Sequence, residues 1–139
     1  MLKVVIDTNI VISAALSPSG KCAKIVEIIA ENEEIQLFYN GEILFEYKEV
    51  LSRKHLRIAD KIQKGIIESI KKVGIKLEPS PSEISLPDES DRIFYDTALA
   101  AGATLITGNK KHYPAEYFIM LPAEFLKLIN KHGLDDFED

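Results

Sequence analysis

Apolar residues come in two rhythms along this chain. Short runs rich in β-branched and aromatic residues occupy positions 3–6, 35–39, 75–77, 103–107 and 117–120. Between them lie longer stretches in which apolar positions return every three or four residues. The runs predict buried strands and the stretches predict amphipathic helices. Helices are expected over Thr8–Leu16, 21–32, Gly41–Arg53, Ala59–Lys72, from Ser90 or Asp88 to Ala101, and Pro122–Lys131. On the second of these, Ala23, Val26, Ile29 and Ala30 share one side. Ser17-Pro18-Ser19-Gly20, Gly74 and Gly102 break the helical pattern, and residues 79–90, rich in Pro, Ser and acid, read as a surface loop. Strands that alternate with helices imply a mostly parallel sheet covered on both faces.

No linker or internal repeat divides the pattern, so 1–139 reads as one domain, ending in an acidic tail from about residue 133. The sequence is 46% hydrophobic and 28% charged, a globular mixture. No apolar run reaches the roughly 18–20 residues of a membrane helix. A strand begins within three residues of Met1, leaving no room for a signal peptide. Cys22, the single cysteine, rules out an internal disulfide framework and a Cys-rich zinc site. A reducing cytoplasm is the expected compartment. The net charge of −5 opposes broad nucleic-acid affinity unless acids gathered around divalent cations leave the working surface less negative.

The polar residues that end the apolar runs carry the candidate chemistry. Asp7 closes the first run and is followed by Thr8 and Asn9. Open α/β sheets place their chemistry at such strand exits, and an acid there costs stability unless a cation, metal or water compensates it. Asp7 as a plain helix cap is the competing reading. Glu42, Glu46 and Glu49 share one face of the third helix, which reads either as a solvated stripe or as a carboxylate, Glu46, docked near the strand ends. Asp91 and Asp96 flank the start of the helix before the fourth strand. Five helical residues turn about 500°, so their side chains diverge by about 140° and share a site only if Asp91 lies on the cap or first turn. Carboxylates that converge repel one another and are relieved by Mg²⁺ or Mn²⁺, hard ions that prefer oxygen ligands.

Four ordered segments resemble the PIN domain family, to which VapC-type toxins and several RNA-processing nucleases belong. They are Val4-Val5-Ile6-Asp7-Thr8-Asn9, the helix from Glu42 to Leu51, the segment Asp91 to Ala103, and Thr104-Leu105-Ile106-Thr107-Gly108-Asn109-Lys110-Lys111. The resemblance implies a three-layer α/β/α sandwich around a five-stranded sheet. It also implies metal-dependent hydrolysis of single-stranded RNA that leaves 3′-hydroxyl and 5′-phosphate ends. It carries over Asp7, Glu46 and Asp91 as metal-site acids with Asp96 as a fourth, Thr8, Asn9 and Thr107 as supporting groups, and Mg²⁺ or Mn²⁺ as cofactor. A toxin of a VapBC-type pair would further imply a small antitoxin partner and a homodimer. Ile25, Ile28, Ile29, Phe45, Leu56 and Ile58 are either that dimer face or core.

One departure stands out. Family members usually carry aspartate after the Thr-Gly pair, often with another two residues on, and this chain has Asn109 and Lys111. An amide oxygen can still touch a cation, directly or through water, but brings it no charge, so Asn109 is expected as a supporting residue. Lys111 or His112 would then meet phosphate, as would Lys21, Lys48, Arg53, Lys54, Arg92 and Lys110. The departure keeps a second function open, a degenerate PIN domain that binds RNA or protein without cutting it. A phosphatase with Asp7 as nucleophile is the remoter rival, because the second aspartate it needs two positions on is Asn9.

Overall fold

The computed structural model describes residues 1–133; the acidic residues 135–139 lie outside them. The chain runs β1 (Leu2–Ile6), α1 (Thr8–Leu16), α2 (Lys21–Glu31), β2 (Ile35–Tyr39), α3 (Gly41–Leu51), α4 (Asp60–Val73) and β3 (Ile75–Lys76), followed by α5 (Arg92–Ala101), β4 (Thr104–Ile106), β5 (Ile119–Met120) and α6 (Pro122–Lys131). Short 3-10 turns at Lys54–Leu56, Glu89–Asp91 and Lys110–His112 lie in the connections. All four strand pairings are parallel, in the order β3-β2-β1-β4-β5. Helices cover both faces, giving the three-layer α/β/α sandwich.

Parallel strands buried on both faces must be apolar throughout. Val4, Val5, Ile6, Leu105 and Ile106 are accordingly almost wholly enclosed. On α2 the enclosed stripe is Ile25, Ile28 and Ile29. This corrects the face expected from Ala23, Val26, Ile29 and Ala30: the long isoleucines take the core and the smaller residues sit half-buried beside it. Of the residues weighed as a dimer face, Ile25, Ile28, Ile29 and Ile58 are core, whereas Phe45 is 69% exposed. Gly102 ends α5 in the left-handed region, at φ 66°. Gly74 ends α4 for a different reason: a Cβ there would sit 2.5 Å from the Ile70 carbonyl oxygen. Among the described residues no helix is long and apolar enough to cross a membrane.

The strand order locates the chemistry. From β1 the chain winds outward through β2 to β3, then crosses back to β4 on the other side of β1. The sheet therefore reverses its winding between β1 and β4. Beyond the carboxyl ends of two such strands the connections diverge and leave a crevice. Ile6 pairs with Ile106, so the next residues on each strand, Asp7 and Thr107, stand side by side at that crevice.

Candidate functional site

Asp7 is 4% exposed and heavily engaged. Its Oδ1 accepts the Thr8 N–H at 2.7 Å, which makes it the N-cap of α1. Its Oδ2 accepts the Thr107 hydroxyl at 2.9 Å and the Tyr113 hydroxyl at 2.8 Å, with Asn9 Nδ2 at 3.5 Å. A carboxylate carries about four acceptor sites, so Asp7 caps a helix and keeps capacity for a further ligand. Burial, with the Asp7 and Asp91 charges added, holds the Tyr113 phenol far above its ordinary range, which keeps it a donor. Tyr113 was not singled out in the sequence. It lies 106 positions from Asp7, a separation that no local pattern encodes.

Glu46 reaches the crevice because α3 is fixed at both its start and its middle. Asn40, fully buried, caps the helix by accepting the Ile43 N–H at 3.0 Å. Tyr47, also fully buried, donates its hydroxyl to the Ile6 carbonyl at the end of β1. Glu46 Oε2 then accepts the Thr8 hydroxyl at 2.7 Å. Thr8 therefore serves both acids, its backbone binding Asp7 and its side chain binding Glu46. Burial raises the Glu46 pKa against the Thr8 hydrogen bond, and the Asp7 and Glu49 charges raise it further. Glu42 and Glu49 are exposed. Asn9 turns its Oδ1 to the Gly108 N–H at 2.9 Å, which ties the exits of β1 and β4 together.

Asp91 closes the turn Glu89–Asp91 and occupies the N-cap position of α5, the placement that lets it aim independently of Asp96. It is 9% exposed, and its Oδ2 is buried without a hydrogen-bond donor. His112 Nδ1 stands 3.3 Å from that oxygen, near enough for an ion pair but not aligned as a hydrogen bond. Burial pushes the Asp91 carboxyl up to about 6; the Asp7 charge adds to this, His112 opposes it, and Asp88 and Glu46 add smaller amounts. Between the ordinary value of 3.8 and 6, native Asp91 holds a proton that the unfolded chain has released. In this window stability falls as pH rises. In chelator-treated protein, Asp91→Asn should therefore remove a component of stability that decreases from pH 4 to pH 6. Melting curves of both proteins across that range measure it.

Asp96 engages a different set of groups. Its Oδ2 accepts the Ser82 N–H at 3.1 Å, and its charge acts on Arg92 and Tyr95. Its Oδ1 is buried and has no donor. Arg92, weighed as a phosphate contact, is occupied instead: it binds both Glu89 oxygens, the Ser82 carbonyl and hydroxyl, and the Ile84 carbonyl. Lys110 pairs with Glu124 at 3.0 Å. Lys48 lines a groove of about 420 Å³ between α3 and α4 together with Lys64 and Lys71. Asn109 caps its own turn, accepting the Lys111 N–H at 3.2 Å, and its Nδ2 lies 3.0 Å from His112 Nε2.

The donor chemistry fits a hard divalent cation. Asp7, Glu46 and Asp91 influence one another's ionisation or that of Tyr113 between them, and Asp91 offers a buried oxygen with no protein donor. Among the described residues no three His, Cys, Asp or Glu side chains converge tightly enough to grip one ion as they stand. Glu46 is engaged by the Thr8 hydroxyl, and Asp91 lies toward His112.

A family model of the PIN domain matches residues 3–111. The chain is also similar to Uncharacterized protein MJ1680 of Methanocaldococcus jannaschii, 34% identical over 113 residues that cover 78% of this chain and 72% of the relative.

Proposed function

The chain belongs to the PIN domain family, and on that premise we propose that it is a metal-dependent endoribonuclease that hydrolyses phosphodiester bonds in single-stranded RNA. PIN domains are generally nucleases. One observation supports this activity above the rest: Asp91 Oδ2 is buried with no aligned hydrogen-bond donor, only His112 at ion-pair distance, and its carboxyl is coupled electrostatically to Asp7 at the point where the parallel sheet reverses its winding. Asp7, Glu46 and Asp91 would hold Mg²⁺ or Mn²⁺, with Asp96 as a fourth acid through its unpartnered Oδ1. A bound cation of this kind acidifies water and offsets charge on phosphate oxygens. The chain's own residues do the positioning. Thr107, Tyr113 and the Thr8 amide fix the Asp7 carboxylate, and the Thr8 hydroxyl holds Glu46 in reserve. Lys48, Lys64 and Lys71, which outnumber Glu68 in the groove between α3 and α4, would offer a phosphate backbone a net positive surface on an otherwise acidic molecule.

The proposal extends to a cytoplasmic VapC-type toxin that forms a homodimer and is blocked by a small antitoxin. The segments around Asp7, Glu46 and Asp91 support that placement by resemblance. Co-purification with the product of a neighbouring reading frame tests it. Incubating short single-stranded RNAs with the protein and millimolar Mn²⁺ tests the activity. The expected products carry 5′-phosphate and 3′-hydroxyl ends, and chelator stops their formation. Asn109, in place of an acid, favours a second reading, a module that binds RNA without cutting it. RNA retention without cleavage, and no calorimetric heat with millimolar Mn²⁺, would decide for that reading.

A further inference from the structure

We propose that His112 is a nitrogen ligand of the divalent-cation site, and that it shifts the site's preference from magnesium toward first-row transition cations. The inference rests on the reading of Asp7, Glu46 and Asp91 as metal-site acids and adds to it a residue and a selectivity. Three observations carry it. First, His112 Nδ1 lies 3.3 Å from Asp91 Oδ2 without forming a hydrogen bond. Adjacent ligands of an octahedral ion at about 2.1 Å stand about 3 Å apart, so the two atoms, at 3.3 Å, need only a small closure to share one ion. Second, Asp91 is 9% exposed, and that oxygen has no other partner. An ordinary salt bridge would align a donor on it. Third, the ring is held from behind: Asn109 Nδ2 lies 3.0 Å from Nε2.

Ligation through Nδ1 leaves the ring proton on Nε2. A half-turn of the Asn109 carboxamide, whose two ends have nearly the same shape, presents an oxygen to that proton. The half-turn also brings the amide nitrogen against the Lys111 N–H that the oxygen now accepts, so that N–H, which lies on an exposed turn, must swing to water. Asn109 is then a positioning residue for the imidazole, in the way that metal-bound histidines generally have their second nitrogen fixed. The missing acidic positions 109 and 111 and the histidine at 112 thus become one substitution: carboxylate oxygens exchanged for an imidazole nitrogen. Carboxylates suit Mg²⁺ and Mn²⁺, whereas imidazole favours softer ions, and affinity rises from Mn²⁺ to Co²⁺.

Pulsed electron paramagnetic resonance on wild-type protein loaded with Mn²⁺ gives the direct test. Nitrogen modulation from a single imidazole is expected, and it vanishes in His112→Ala. Calorimetry supplies the second arm. His112→Ala should weaken Co²⁺ binding about tenfold, roughly what one lost ligand contact is worth, while Mg²⁺ binding changes by less than about twofold. If His112 is only a counter-charge for Asp91, its removal will instead strengthen the binding of every divalent cation, and His112→Lys will behave as wild type. That result, or an unmodulated Mn²⁺ signal from a loaded site, overturns the inference and leaves the acidic site intact. Failure of wild-type protein to bind any of the three cations overturns both.

Discussion

Exchanging Asp7 for asparagine should lower the proposed Mn²⁺-dependent RNA cleavage about a thousandfold and leave the fold standing. The substitution is informative because asparagine caps helices as well as aspartate does. If Asp7 served only to receive the Thr8 amide at 2.7 Å, Asp7→Asn would retain full activity. If Asp7 is a metal-site acid, the loss of its charge removes several kcal/mol of transition-state stabilisation. A loss of about 4 kcal/mol lowers the rate about a thousandfold. Stability should move the other way. The Asp7 charge raises the pKa of both Asp91 and Glu46, which is the mark of repulsion between the three groups. Removing one charge relieves that repulsion. Stabilising substitutions commonly yield about 0.5–2 kcal/mol; with the Thr107 and Tyr113 hydroxyls turned to accept from the new amide, about 1 kcal/mol raises Tm by a few degrees. Cleavage of an end-labelled single-stranded RNA and a thermal melt in chelator read the two effects separately. A variant that still cuts sinks the assignment.

The sheet and its helices were legible in the sequence because each element obeys a local rule: buried runs for strands, three-to-four spacing for helices, glycine or proline at the breaks. Element ends were less legible. β5 pairs only over Ile119–Met120, although Tyr117 and Phe118 extend the apolar run, because Tyr117 is 92% exposed and lies beyond the β4 partner. The positions of Asp7, Glu46 and Asp91 followed from their places at a strand exit, a helix face and a helix start. Their surroundings did not. Tyr113 reaches Asp7 from the far end of the chain, and His112 reaches Asp91 through a fold that polar spacing alone does not reveal, whereas Thr107, expected at the exit of the fourth strand, does stand against Asp7. Asp96 shows the same limit. Its helix position was readable, but its engagement with Ser82 depends on how the loop over residues 79–90 folds back.

Asn40→Ala should produce the largest loss of stability among the polar substitutions considered. Asn40 is fully buried and joins three parts of the fold. Its Oδ1 caps α3 through the Ile43 amide, and its Nδ2 donates to the Leu77 carbonyl at 3.1 Å and to the Thr97 hydroxyl at 2.9 Å. Loss of the cap costs about 1 kcal/mol, and the Thr97 hydroxyl, in a buried bond, and the Leu77 carbonyl, in a part-buried one, each cost about another 1 kcal/mol when left without the Asn40 donor. Thr97 keeps its own bond to the Ile93 carbonyl, so the total is about 3 kcal/mol, a fall in Tm of roughly 10 °C. Asn40→Ser separates the contributions. Serine caps as well as asparagine does but is too short to reach Leu77 and Thr97, so it should recover only the first kilocalorie. Because the cap also sets where α3 delivers Glu46, the alanine variant should bind Mn²⁺ more weakly even at temperatures where it is fully folded. Asp7→Asn and Asn40→Ala then have opposite effects on Tm and the same sign of effect on cation binding. That pairing is expected only if Asn40 builds the scaffold for Glu46 while Asp7 is a charge that the scaffold tolerates for the sake of an ion. A Tm for Asn40→Ala within about 2 °C of wild type would break the first half of the argument.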